Sequence, residues 1–158
     1  MIYRDVSLAE IIERSVESVE GFAEQQGIKI NSQSKPITVL ADSDRLVQVL
    51  VNFLSNAIKF SNDGGEIQIT VEDKGETCEV QVKDHGSGIP EGYEEKIFAK
   101  YEQVQVPAAG GKKRPGTGLG LPICKAIVEQ HGGEVGVRKT EGGGSTFWFS
   151  VPKVGAAV

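Results

Sequence analysis

Three polar side chains share one face of a predicted helix. Asn52, Asn56 and Lys59 follow one another at spacings of four and three residues, which places them on one stripe if residues 44–60 are helical. Amide oxygens are ligands that a hard cation such as Mg²⁺ accepts, and a lysine ammonium suits a phosphate. A solvated helix face has the same spacing, so both interpretations stay open at this point.

A second group of residues follows a predicted strand, in the order Asp84, Gly86, Gly88 and Ile89. Its glycines permit positive φ values and leave room for a ligand close to the backbone. The Asp84 carboxylate could accept a hydrogen bond from an exocyclic amine such as that of adenine, which would select adenine over guanine. A tight strand exit with a capping aspartate is the alternative.

A third group is a glycine-rich run that opens a predicted helix, Gly116-Thr117-Gly118-Leu119-Gly120-Leu121. Backbone N–H groups at a helix start form an anion site, and phosphate is the natural guest. The run is not a dinucleotide-binding fingerprint, because its sixth position is Leu121, and the chain has no Gly-Lys-Ser/Thr sequence of a P-loop. A flexible hinge before the helix is the alternative.

Length and charge limit the classes of protein that fit. The chain has 158 residues, with 17 Lys and Arg against 22 Asp and Glu, and a net charge of −5. This charge argues against a general nucleic-acid binder, and the length predicts one domain over residues 1–158. No apolar stretch reaches the ~20 residues that span a bilayer, and the two cysteines suit a reducing compartment. We therefore expect a soluble, cytoplasmic domain.

The hydrophobic pattern predicts three helices and three hairpins that position these groups. The helices are expected from Leu8 to near Gly27, over 44–60 with Asp42 or Ser43 as the cap, and over 119–131. The hairpins are expected from residues 28–31 with 37–41, 67–72 with 78–83, and 134–138 with 145–151. Residues 94–98 could form a helical turn, and 99–115 show no clear period, as in a functional or mobile loop.

In order and spacing, these groups together resemble the ATP-binding catalytic domain of sensor histidine kinases, in the superfamily that also contains the gyrase, heat-shock chaperone and mismatch-repair ATPases. The resemblance covers residues 7–152, which is nearly the whole chain. It rests on four segments: Asn52-x-x-x-Asn56-Ala57-x-Lys59-Phe60, Asp84-x-Gly86-x-Gly88-Ile89, Ile97-Phe98, and Gly116-Thr117-Gly118-Leu119-Gly120-Leu121.

The resemblance implies an α/β (α+β) two-layer sandwich, in which helices cover one face of a mixed, mainly antiparallel sheet. It also implies a mobile ATP lid over about residues 99–117 and a tail over 153–158.

By the same resemblance, ATP and Mg²⁺ are the expected cofactors, and Asn52, Asn56 and Lys59 are the catalytic residues. Asn56 would be the Mg²⁺ ligand, Asn52 would support the metal and the phosphates, and Lys59 would contact phosphate. Asp84 would recognise the adenine amine. The full ATP-binding set implied by the resemblance is Asn52, Asn56, Lys59, Phe60, Asp84, Gly86, Gly88, Ile89, Phe98, Gly116, Thr117, Gly118, Leu119, Gly120 and Leu121.

Two features depart from the commonest pattern of that family. Ala99 and Tyr101 stand where an acidic residue and a phenylalanine are frequent, and Pro122 follows the last glycine-rich run, so lid detail is in question. The phosphoaccepting histidine of the family lies on a preceding two-helix domain, and neither His85 nor His131 matches it. Both are predicted in turn or cap positions, so the chain is expected to be a catalytic fragment.

The resemblance implies transfer of the ATP γ-phosphoryl group to a histidine on a separate helical dimerisation domain, and then to the receiver domain of a response regulator. The fragment is expected to be monomeric, with a parent protein that is either free or membrane-anchored. Three alternatives stay open: a conformational ATPase module, an anti-sigma-type serine kinase, and a nucleotide-binding remnant without transfer. The conformational ATPases usually carry glutamate at the position of Asn52, where it activates water.

Overall fold

The structure is a computed structural model that describes residues 2–33, 35–61, 64–86, 98, 106–107, 113–114, 120–140 and 142–154. Within these ranges the chain forms three helices: α1 (Leu8–Gln25), α2 (Ser43–Phe60) and α3 (Gly120–Gln130). The strands are β1 (Arg4–Ser7), β2 (Lys29–Ser32), β3 (Thr38–Ala41), β4 (Glu66–Asp73), β5 (Thr77–Lys83), β6 (Val106–Pro107), β7 (Lys113–Arg114), β8 (Val135–Lys139) and β9 (Ser145–Pro152).

The main sheet has five strands in the order β2-β4-β5-β9-β8. The β2–β4 pair is parallel, and the pairs β4–β5, β5–β9 and β8–β9 are antiparallel. Helix α2 packs on one face, where the fully buried Phe53 ring lies 5.5 Å from Phe147 and 6.1 Å from Phe149. The predicted two-layer α/β architecture with a mainly antiparallel mixed sheet is therefore confirmed.

Residues 28–31 and 37–41 do not form the predicted hairpin. Strand β2 pairs in parallel with β4, whereas β3 pairs antiparallel with β1 in a separate two-stranded sheet. The prediction was wrong because it paired the two segments with each other and did not consider that each could pair with a different strand. The first residues of the chain supply a strand for β3, and helix α2 carries the chain across to β4 so that β2 gains a parallel partner.

The other two predicted hairpins are present as β4–β5 and β8–β9. The outward face of β5, however, is also buried, with Glu79 only 3% and Gln81 only 6% exposed. Arg138 donates to Glu79 at 2.8 Å, and Lys74 donates to it at 3.2 Å. Burial alone would raise the pKa of Glu79, but the hydrogen bonds from Arg138, Gln81 and Lys74 outweigh it and lower that pKa.

Helix α2 begins where its sequence predicts. Asp42 is the N-cap, and its side chain accepts a hydrogen bond from the Arg45 backbone N–H at 3.3 Å, which satisfies one of the otherwise unpaired amides of the first turn. Of the helices that the structure describes, none is both long and apolar enough to cross a membrane.

Helix α3 runs antiparallel along α2, as three contacts at successive positions show. Gly120, at the start of α3, lies against the Asn52 side chain. The Cys124 thiol contacts the Val49 carbonyl at 3.9 Å. Just beyond the end of α3, the His131 ring reaches the backbone of Asp42 at 3.1 Å. These contacts fix the register of the two helices along their length.

Strands β6 and β7 pair with each other, with Val106 opposite Arg114. The prediction of an aperiodic segment over 99–115 did not include these short strands. The rest of the predicted lid and the predicted helical turn lie outside the described residues, apart from Phe98.

Candidate functional site

The amide stripe of α2 is partly buried. Asn56 is only 1% exposed, and its Nδ2 donates a hydrogen bond to Asn52 Oδ1 at 3.2 Å. Burying an amide is unfavourable without compensating partners, so a simple solvated helix face does not account for this side chain. Lys59 lies one turn beyond Asn56 and is half-buried, and its ammonium group makes no hydrogen bond or ion pair with the described residues.

Gly120, at the start of α3, lies against this stripe. A methyl group on Gly120 would stand 2.6 Å from Asn52 Nδ2 and 3.0 Å from Asn52 Oδ1, which is closer than unbonded atoms approach. A side chain at this position would therefore displace the Asn52 amide. Of the glycines in the glycine-rich run, the structure describes Gly120, and this residue lies against the α2 stripe.

Asp84 directly follows the central strand β5 and is buried, at 2% exposed. Its Oδ1 accepts hydrogen bonds from the backbone N–H groups of Gly86 at 3.0 Å and Ser145 at 3.2 Å. No described residue donates to its Oδ2. Burial raises the pKa of the Asp84 carboxyl, and the two backbone hydrogen bonds offset this effect only in part.

A buried carboxylate that is anchored through one oxygen leaves the other available as a strong, directional acceptor. The capping role that the sequence left open is also present, since Gly86 N–H binds Asp84. The capping interpretation is therefore confirmed, and recognition of an adenine amine by Asp84 stays a prediction.

Gly86 joins the Asp84 turn to the end of α2. A methyl group there would overlap the backbone carbonyl of Phe60, so the turn can pack against the helix end only with glycine at this position. The two groups that the sequence separates by more than twenty residues thus meet at the C-terminal end of α2.

Sequence reasoning missed Gly144 and Ser145. Ser145 contacts Asp84 twice, because it donates to the Asp84 carboxylate and its carbonyl accepts from Asp84 N–H at 2.9 Å. Gly144 has a φ of 92° and lies so close to the Asp84 carbonyl that no side chain fits. The sequence feature that could have pointed to this contact is the run of three glycines before the last strand. Because a hairpin turn already explained those glycines, no further role was assigned to them.

Three apolar members of the predicted set belong to the core. Phe60 is 9%, Phe98 is 7% and Leu121 is 6% exposed. The Phe98 ring packs edge-on against Phe147, with centroids 6.3 Å apart. Packing accounts for these three positions, and a part in ligand binding stays a prediction. Six further predicted residues lie outside the described part of the chain: Gly88, Ile89, Gly116, Thr117, Gly118 and Leu119.

The side chains along α2 determine which metal ion could bind there. No three His, Cys, Asp or Glu side chains among the described residues come together as a metal site. The oxygens offered by the α2 stripe are neutral amide oxygens, which suit Mg²⁺ when a phosphate chain supplies the negative charge. These amide oxygens therefore fit Mg²⁺ that binds together with a phosphate ligand.

Comparison with known proteins gives consistent matches. Residues 41–155 match the family described as histidine kinase-, DNA gyrase B- and HSP90-like ATPase. The adaptive-response sensory kinase SasA of Prochlorococcus marinus is 38% identical over 152 residues, which cover 94% of this chain. The same match covers 39% of SasA, so the chain spans well under half the length of that relative.

Solved structures agree with this match. The catalytic domain of histidine kinase ThkA has a TM-score of 0.82 at 31% identity, covering 97% of this chain and 98% of that chain. ThkA in complex with the response regulator protein TrrA gives 0.77 at 32% identity, with 96% and 42% covered. Full-length ShkA in complex with AMPPNP gives 0.82 at 32% identity, with 100% and 32% covered.

Proposed function

Because this chain belongs to the histidine kinase-, DNA gyrase B- and HSP90-like ATPase family, as an ATP-binding catalytic domain of the histidine kinase type, we propose that it transfers the γ-phosphoryl group of ATP to a histidine outside these 158 residues. The observation that carries the proposal is the convergence of two buried polar groups on the C-terminal part of α2. Asn56 lies on the helix itself, and the Asp84 turn is held against the helix end by Gly86.

In the proposed binding mode, Asp84 Oδ2 accepts a hydrogen bond from the adenine amine. Support comes from the carboxylate's burial and from the anchoring of Oδ1 by two backbone N–H groups. Guanine presents a carbonyl oxygen where adenine presents its amine, so two acceptors would face each other and adenine would be preferred.

Mg²⁺ fits the amide oxygens described above, with Asn56 as the proposed ligand and Asn52 as the residue that orients it. When bound, the ion would neutralise charge on the phosphates. Asn52 supports this orientation because its Oδ1 accepts from Asn56 Nδ2 while its side chain is confined by Gly120. Lys59 would bind phosphate oxygens as a cation on the same helix face.

These side chains include no base placed to accept a proton, so we propose that they act by positioning and by stabilising charge on the phosphoryl group. The attacking nitrogen would come from the acceptor histidine. Asn52 also argues against a conformational ATPase, because an amide cannot take a proton from water as glutamate does.

The proposed partners are a helical dimerisation domain that carries the acceptor histidine and the receiver domain of a response regulator. The complex of ThkA with a response regulator supports the second partner at the level of the family. A cytoplasmic location is proposed as well, since ATP is the substrate.

The proposed reaction is tested by incubating the chain with radiolabelled ATP, Mg²⁺ and phosphoacceptor domains from related kinases. Acid-labile, base-stable label on the acceptor's histidine is the expected result. Acid-stable phosphoserine on a partner would instead indicate a serine kinase, and ATP turnover without an acceptor would indicate a conformational ATPase. An acceptor with its histidine changed to alanine is the control.

Gly120→Ala is expected to weaken ATP binding by about two- to tenfold, because the added methyl displaces the flexible end of the Asn52 side chain and so removes its hydrogen bond with Asn56, which contributes ~0.5–1.5 kcal/mol. Gly21→Ala is the matched control. Gly21 lies in α1 with nothing within 4 Å of an added methyl, so its replacement should leave ATP affinity unchanged and stabilise the helix by ~0.5–1 kcal/mol. Calorimetric titration with ATP decides the matter, and equal affinities for the two variants would remove Gly120 from the site.

A further inference from the structure

His131 connects the C-terminal end of α3 to the N-terminal end of α2. Its ring is buried, at 7% exposed, and lies just after Gln130, the last residue of α3. Nδ1 lies 2.8 Å from the carbonyl oxygen of Ile127, within α3. Nε2 lies 3.1 Å from the backbone nitrogen of Asp42, the N-cap residue of α2.

The two partners require one protonation state. A carbonyl oxygen can only accept, so Nδ1 must carry a hydrogen and donate it to Ile127. A backbone N–H can only donate, so Nε2 must be unprotonated and accept from Asp42. Only the neutral ring with its hydrogen on Nδ1 satisfies both bonds. A second proton on Nε2 would set two donors against each other and break the link to α2.

This link bears on the nucleotide site through the register of α2 and α3. The contacts His131–Asp42, Cys124–Val49 and Gly120–Asn52 follow one another along the antiparallel pair. Breaking the His131–Asp42 hydrogen bond removes one of these three contacts, so α3 is held less firmly against α2. The opposite end of α3 carries Gly120, which lies against the Asn52 amide.

The groups that face the His131 ring are few among the described residues. The Tyr3 ring stands edge-on at 5.3 Å, and its hydroxyl donates to the Gln130 carbonyl at 3.0 Å. The side chain of Asp42, whose backbone N–H binds the ring, carries a carboxylate that accepts from the backbone N–H groups of Ile2 and Arg45. The hydrogen bond from Ile2 is the main reason that the pKa of Asp42 is lowered, so this carboxylate stays ionised through the range in which imidazoles titrate.

We infer that His131 is a positioning residue for the nucleotide site, and that its protonation releases the α2–α3 register and weakens ATP binding. The inference uses the ATP-binding role of the domain, but its first test does not need a nucleotide. The expected loss is about fivefold in ATP affinity, which corresponds to one ordinary hydrogen bond.

The first measurement follows the backbone amide of Asp42 and the His131 ring by NMR between about pH 8 and pH 5. The Asp42 amide signal should move with the same midpoint as the His131 ring. In His131→Gln it should not titrate, because the glutamine side-chain oxygen accepts from Asp42 at every pH. His85→Gln is the matched control, since His85 is exposed and away from this link, and it should keep the wild-type behaviour. An Asp42 amide that ignores the His131 titration overturns the inference.

The second measurement compares ATP affinities over the same pH range. Protonation of Asp84 and of the ATP phosphates also changes ATP affinity, but it does so equally in wild type and in His131→Gln. The ratio of the two proteins' ATP affinities at each pH therefore reports the effect of His131 alone. The ratio should change by about fivefold toward acid, with the glutamine variant binding better. Parallel pH profiles would overturn the inference. If neither protein binds ATP at any pH, the proposed function fails while the amide measurement still decides the role of His131.

Discussion

Asp84→Asn is expected to remove most of the ATP affinity while leaving the fold intact. Asparagine can still accept from Gly86 and Ser145 through its oxygen, which places its NH₂ group where Oδ2 stood. Two donors would then face each other at the adenine amine. Hydrogen bonds to a charged group contribute ~1.5–3 kcal/mol, so the affinity should fall by about 10- to 100-fold.

The same substitution is expected to raise the unfolding free energy at neutral pH. The folded-state pKa of Asp84 is raised, so stability falls as pH increases from the unfolded value through the folded value, where the buried group must ionise. Asparagine does not ionise, so the variant's advantage should grow as pH rises through this range and vanish in acid below the ordinary aspartate pKa of 3.8.

Calorimetric ATP titration and thermal unfolding at several pH values test both parts of this prediction. Asp73→Asn is the matched control, because Asp73 is exposed, binds Lys153 and Gly75, and lies at the turn end of the β4–β5 hairpin, whereas Asp84 follows the opposite end of β5. Its ATP affinity should equal that of wild type. Unchanged ATP binding in Asp84→Asn would exclude Asp84 from adenine recognition, and an unfolded variant would contradict the stability argument.

Asn56→Ala is expected to reduce phosphoryl transfer by about 10²- to 10³-fold, the range found when one preorganised polar group is removed from an active site. The Mg²⁺-dependent part of ATP affinity should disappear with it. A stability loss of ~1–3 kcal/mol is expected as well, because Asn52 Oδ1 would lose its donor in a partly buried place.

Transfer to a phosphoacceptor domain and ATP titration with and without Mg²⁺ measure these effects at a temperature where the variant is folded. Gln48→Ala provides the control on the same helix, because Gln48 is exposed and bonded only to Arg45 among the described residues. It should retain both transfer and Mg²⁺ dependence. Equal Mg²⁺ dependence in Asn56→Ala and wild type would show that Asn56 is not the ligand.

Local sequence signals predicted most of the fold. Periodic apolar residues located α1 and α2 within a few residues, and the N-cap of α2 is Asp42, one of the two caps that the sequence left open. Strand β1 escaped notice because Arg4-Asp5-Val6-Ser7 has neither alternation nor a buried residue, and it is a strand only through its pairing with β3. The wrongly predicted hairpin of residues 28–31 with 37–41 has the same cause, because strand pairing depends on residues that are distant in sequence.

The candidate site was predictable where one element carries its residues, and less so where distant segments meet. Spacing placed Asn52 and Asn56 on one face, and their hydrogen bond confirms that they lie together. The role of Ser145 could not be deduced from spacing, because it lies 61 residues from Asp84 and reaches it through the pairing of β5 with β9. The burial of Glu79 was missed because its covering partner, Arg138, comes from another strand.

The position of β5 between β4 and β9 has a consequence for how the chain is made. Its neighbour β4 emerges from the ribosome just before it, but Cys78 lies 73 residues from the Val151 backbone that it contacts. Until β9 is synthesised, the edge of β5 that carries Cys78, Val80 and Val82 has no partner and is open to pairing with other chains. Ser145 arrives with that same strand, so a nascent chain completes its sheet and the surroundings of Asp84 in one step and has no finished nucleotide site before it.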